Sequence, residues 1–262
     1  MAEPLNFDTL AWVLTTVLEV ILLFLLLRRK LHRSYPGFFV YVLSVIVQGL
    51  LWKGAEFHFG ERSKQAWAVY WMFQAVVVCA RWIAVVEITS KVLADYGAIR
   101  RMASRILMVL GAAVLAYSFV VSDFSWMLMV LSADRAVELC IASVVVCMFL
   151  FARYYRLPML ALERQLAVGF CLYCCSRVVN DSVLEHWHGN RWNFLSYVNA
   201  LAFLASLLIW IAAVREPIES RNLAAHLRLT PERYGELSEK LNSRLHLLNH
   251  RLDRLSRSGG SR

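Results

Sequence analysis

Hydrophobic residues along this chain come in blocks of bilayer length, each closed by a short polar stretch. A transmembrane helix needs about 20 predominantly apolar residues to cross a hydrocarbon core of roughly 30 Å. The first block runs from about Phe7 to Leu27, apolar except for Thr15, Thr16 and Glu19, and stops at Arg28, Arg29, Lys30 and Arg33. Pro36-Gly37 punctuates the turn into a second block, about Phe38 to Phe57, which carries Gln48, Lys53 and Glu56. The third, about Trp67 to Leu93, contains Gln74, Arg81, Glu87 and Lys91. A cleaner and shorter fourth follows, about Ile106 to Val121. The fifth ends near Phe151 and holds Asp134, Arg135 and Glu138 in its first half. The sixth, Ala167 to His188, carries an arginine near its centre. The seventh, about Phe194 to Val214, is interrupted only by Ser196, Asn199 and Ser206.

The loops between the blocks alternate in charge. Arg28 to Arg33, then Arg100, Arg101 and Arg105, then Arg153, Arg156 and Arg164, and finally Arg215 all fall on one side if every block crosses. The positive-inside rule makes that side cytoplasmic, with the N-terminus outside and the C-terminus inside. Trp12, Trp52, Trp67, Trp71, Trp126, Trp187 and Trp192 map to the opposite, outer ends, as an interfacial aromatic belt does. The expected fold class is therefore all-α: a polytopic membrane bundle of seven transmembrane helices, with a C-terminal cytoplasmic amphipathic helix. Residues 1–216 form the membrane domain and 217–262 the tail, whose helix spans about 231–257. Thr230-Pro231-Glu232 is a good helix start, with Thr as N-cap and Pro in the first turn. Tyr234, Leu241, Leu248 and Leu255, with Leu245 and Leu252 between them, make a seam. It fits a homodimeric coiled coil or, slightly better, a membrane surface or partner groove.

Composition narrows the class further. The chain has 262 residues, 59% hydrophobic and 18% charged, against about 25% charged in an ordinary soluble domain. The net charge of +9 raises nucleic acid as a partner, but the basic residues sit in alternate loops and the tail, which argues for lipid instead. Glu3 and Asp8 stand where a cleavable signal would carry lysine or arginine, so the first helix is expected to be retained. All six cysteines lie within expected spans, which speaks against a disulfide framework and for buried packing residues.

Charge inside the membrane is the main lead to chemistry. In the sixth block Cys174, Arg177, Asp181, Glu185 and His188 share one helical stripe, which must face other helices or water. Lys53, Glu56, Asp134, Arg135, Glu138, Arg177 and Asp181 are expected in the outer half of the bilayer. Lys53/Glu56 and Arg135/Glu138 have i,i+3 spacing, and Arg177/Asp181 has i,i+4. With Arg81, Asn180 and Asn199 they define a candidate polar core. It reads either as an outward-facing cavity for a small polar ligand or ion, or as a salt-bridge network that fixes helix packing. His58, His186 and His188, near Glu56 and Glu185, offer a divalent-metal site only if the second and sixth helices are neighbours. No other cofactor is indicated.

The segment RRKLHRSYPGFFVYVL, with the third-span pattern AVYWMFQAVVVCARWIAVVEITSKVLADYGAIRR, resembles a family of uncharacterised bacterial seven-helix integral membrane proteins. They share a basic first inner loop with an LHR...P-x-FF core, and Glu87 and Tyr96 match the acid and the Tyr that end their third helix. The resemblance covers roughly the first hundred residues well. It implies the same topology and a bacterial inner, plasma-membrane location, and no reaction.

Catalytic signatures are absent: no HExxH, Walker A or GxSxG occurs, and the last span has no lysine for a retinal Schiff base. The sequence is thus read as non-enzymatic, a receptor-like sensor whose basic tail helix addresses a cytoplasmic partner. The alternative is a small transporter or channel in which Glu19, Arg81 and Glu87 continue a polar track inward. A metalloenzyme at the outer histidines is a third reading.

Overall fold

A computed structural model describes residues 7–60, 63–94, 96–122, 125–155, 159–186, 192–216, 239 and 242–251, apart from the side chains of 7–10 and 181–196. The helices are α1 (Phe7–Arg28), α2 (Leu31–Ser34), α3 (Pro36–Phe59), α4 (Lys64–Val92), α5 (Gly97–Val121), α6 (Trp126–Tyr154), α7 (Ala161–His186) and α8 (Trp192–Arg215). No strand occurs among the described residues, and 242–251 are also helical.

Local chemistry sets several boundaries. Lys30, at φ 55°, takes the left-handed conformation after α1 and lets the single turn of α2 form in the basic loop. Pro36 opens α3, where its missing N–H costs nothing, and Gly60, at φ 85°, closes it. The Ser63 side chain accepts from the Ala66 N–H at the start of α4. Two helices extend beyond their apolar blocks. α5 begins at Gly97 and so includes Arg100, Arg101 and Arg105, and α7 begins at Ala161 and includes Arg164. Long charged side chains in an end turn can reach the headgroups, so the helix outlasts its hydrophobic stretch.

Among the described residues, six helices, α1, α3, α4, α5, α6 and α8, contain segments long and apolar enough to cross a membrane. The fourth helix of the sequence reading is therefore not short, and the sixth is α7, with 26 residues but a charged middle. The long helices close into a ring in chain order: α1 packs on α3, α3 on α4, and so on to α8, which returns to α1. α4 also reaches α6 and α7 and so occupies the middle. Large apolar side chains such as Phe24, Val109, Val120, Leu139 and Leu150 point outward and exposed. Apolar surface on that scale marks a lipid-facing exterior.

The interior is apolar towards the basic ends. Phe38, Tyr41, Phe170 and Trp210 are almost wholly buried, with ring centroids 5.0–6.4 Å apart. The Trp210 indole donates to the Leu166 carbonyl at 3.1 Å and lies against Gly169, where a β-carbon would collide with the ring. At the other end, Trp52, Trp67, Tyr70 and Trp71 cluster on α3 and α4.

Candidate functional site

Four helices meet at a polar ladder in the centre of the ring. α4 contributes Gln74 and Arg81, which are seven residues apart and share a face. α6 contributes Asp134 and Glu138 one turn apart, α7 contributes Arg177, and α3 contributes Gln48. Arg81 Nη1 donates to Asp134 Oδ1 at 3.0 Å and to Glu138 Oε1 at 2.9 Å. Arg177 donates through Nε to Glu138 Oε1 at 3.0 Å and through Nη2 to Asp134 Oδ2 at 3.2 Å. Gln74 Nε2 donates to Asp134 Oδ2 at 2.7 Å, and Gln48 Nε2 extends the chain to Gln74 Oε1 at 2.6 Å. The Arg81 guanidinium also lies 5.2 Å from the Tyr173 ring, a cation–π distance.

The two guanidiniums and two carboxylates balance in charge, the condition on which such groups persist inside a membrane. Arg81 is only 2% exposed, whereas the Arg177 side chain is 24% exposed and forms the accessible edge. At about 1.5 Å per residue, Arg177 lies about 24 Å along α7 from its basic end, and Phe170 about 14 Å. The aromatic block therefore separates the ladder from that end.

Not every polar atom nearby is satisfied. Arg81 Nε and the Oδ1 atoms of Asn180 and Asn199 have no hydrogen-bond partner among the described residues. Asn180 stands one turn beyond Arg177 and is itself buried. Buried polar groups are paired in the great majority of cases, so each orphan asks for a water, an ion or a ligand.

The sequence candidates separate accordingly. Arg81, Asp134, Glu138 and Arg177 come together. Glu138 bonds Arg81 of α4 and Arg177 of α7, contacts between helices that spacing within α6 does not reveal. Lys53 and Glu56 pair with each other at 2.7 Å on the exterior of α3, with Lys53 5.8 Å from the Trp12 ring. The side chains of Asp181, Glu185 and His186, and all of His188, lie outside the described residues. His58 is exposed and packs on Phe59, and no group of three metal-ligating side chains occurs among the described residues. The six cysteines are unbridged; Cys171 and Cys175 sit one turn apart with sulfurs at 3.8 Å. Gln48, Gln74 and Tyr173 were not among the candidates, although the seven-residue step from Gln74 to Arg81 placed the amide on the charged face.

Glu87, which the transporter alternative puts on a polar track, also serves the start of α3. Its Oε2 accepts from the Phe38 N–H at 3.1 Å, supplying the acceptor that Tyr35, at the N-cap of α3, does not. Together the apolar exterior, six spans of crossing length and the interior ion quartet define an integral, multi-pass membrane protein. No protein-family model matches the chain, and no curated protein or solved structure matches it. Any finer reading of its role rests on the geometry.

Proposed function

We propose that this membrane protein is a seven-helix, non-enzymatic, receptor-like sensor that binds a small polar ligand or ion beside the Arg81–Asp134–Glu138–Arg177 quartet. The carrying observation is a pair of polar atoms without a partner among the described residues, Arg81 Nε and Asn180 Oδ1, next to a charge-balanced cluster with one accessible edge. A purely structural salt bridge needs no orphan donors or acceptors around it. The aromatic block on the basic side favours a pocket open at the tryptophan-rich end over a path through the bundle. Seven crossings are supported by the ends of α1 and α8. Arg29 donates to the carbonyls of Arg215 and Glu216 at 2.5 and 2.6 Å, so first and last helices finish on one face. An odd number of alternating crossings fits that arrangement, with α7 as the added span. Basic residues at that face favour a cytoplasmic side, in a plasma-membrane protein with its N-terminus outside. Signal output passes to a cytoplasmic partner through a shift between two helix packings.

Zwitterionic amino acids are the first probes, because the quartet offers both guanidinium and carboxylate. The expected result is a rise in melting temperature of the purified protein that Asn180→Leu abolishes. No shift with any member of the panel, or an equal shift in Asn180→Leu, refutes the pocket. A second reading, as a transporter or channel, draws on Glu19, a carboxylate buried in α1 outside the quartet. Uptake of a bound solute into proteoliposomes, lost in Glu19→Gln, would favour it.

A further inference from the structure

The helical run 242–251 is seated on the basic end of the bundle by two different contacts. Leu245 is 3% exposed and packs with Leu93 at the end of α4, Ile99 in α5 and Ala152 in α6, with Tyr96 and Tyr155 beside them. One turn later on the same face, Asn249 Oδ1 accepts from the Ala98 N–H at 2.8 Å. Ala98 is the second residue of α5, and Tyr96 at its N-cap makes no side-chain capping bond. The first N–H groups of a helix have no partner within it, and an Asn oxygen normally meets that need from the N-cap position. Asn249 meets it from 151 residues away.

We propose that residues 242–251 are a tethered ligand of this seat, a latch that recognises the start of α5 through Asn249 and the α4–α5–α6 junction through Leu245. The inference is independent of the ligand reading. An apolar knob and a capping oxygen four residues apart define what the seat accepts: a helix with Leu followed one turn later by Asn or Asp. An acidic residue suits it as well as an amide, because the seat combines the positive end of α5 with Arg100 and Arg101. Leu247 and Leu248 remain exposed on the docked helix. The latch also touches both helices that carry the buried ions, since α4 bears Arg81 and α6 bears Asp134 and Glu138.

Hydrogen exchange on the full-length protein in nanodiscs, with no ligand added, tests the latch without touching the pocket. Asn249→Leu is expected to speed exchange at residues 97–100 by about fivefold, the factor that loss of an average N-cap represents. Asn249→Asp keeps those amides protected, and Leu245→Lys removes protection from 242–251 while α8 stays as in the wild type. Unchanged exchange at 97–100 in Asn249→Leu, or equally fast exchange in Asn249→Asp, overturns the proposal. So does a loss that spreads through α8, which would make Asn249 a general folding residue. Protection that scales with protein concentration also overturns it, because the tail would then come from a second copy.

Discussion

Arg81→Met is the sharpest perturbation of the buried quartet. It keeps the length and apolar stem of the side chain and removes a charge that is 2% exposed and bonded to two carboxylates. Arg177 alone is then left against Asp134 and Glu138, so one negative charge is stranded in the interior. Removing one partner of a buried ion pair costs about 3–5 kcal/mol, most of it the uncompensated charge that remains. For a protein of this size 1 kcal/mol moves the melting temperature by about 2–4 °C, giving a drop of roughly 6–20 °C. Gln48→Leu removes a neutral hydrogen bond from the same ladder, and such bonds between membrane helices average about 0.6 kcal/mol. It should lower the melting temperature by no more than about 3 °C. Arg81→Met/Glu138→Met restores the balance of charge and should recover much of the loss. Thermal unfolding of detergent-purified variants, followed by size-exclusion chromatography, reads all three. Equal shifts for Arg81→Met and Gln48→Leu, or strictly additive losses in the double variant, would show that charge compensation does not hold the centre together.

Gly169→Ala places a methyl against the Trp210 ring and should destabilise by about 1–3 kcal/mol, the cost of overpacking a filled core, measured by the same melting assay. Glu87→Ala removes the acceptor for the Phe38 N–H and should cost about 0.5–2 kcal/mol, whereas Glu87→Gln retains an oxygen there and should stay near wild type. Arg177→Ala should cost less than Arg81→Met, because water or headgroups can reach its exposed edge.

Helix positions were legible because hydrophobic block length is a property of single segments. The first and last spans match α1 and α8 to within two residues. Charge pairing was not, because spacing reveals only neighbours on one helix. Glu138 also bonds Arg81 and Arg177, 57 and 39 residues away, which spacing on α6 cannot show. Which helices face each other depends on their order around the ring and their rotation within it. Two signals did lie in the chain: helices beginning at Tyr35-Pro36 and Tyr96-Gly97 lack the usual Ser, Thr, Asp or Asn cap. Each recruits an acceptor from a distant segment, Glu87 for α3 and Asn249 for α5. In the tail, the leucine seam described periodicity but not destination: Leu245 is buried on the bundle while Leu248 is exposed. Tyr234, Leu241, Leu252 and Leu255 lie outside the described residues.

The spread of the quartet over α4, α6 and α7 also bears on how the protein is made. Chains emerge N-terminal end first, so Arg81 reaches the bilayer before either acid that neutralises it. An arginine at mid-membrane costs about 2.5–3.5 kcal/mol on insertion scales. The arrival of α6 reverses the imbalance, and only Arg177 in α7 cancels it. A ribosome stalled before α7 therefore holds a nascent bundle with a surplus anion at its heart, and the last two helices complete its neutralisation as well as its wall.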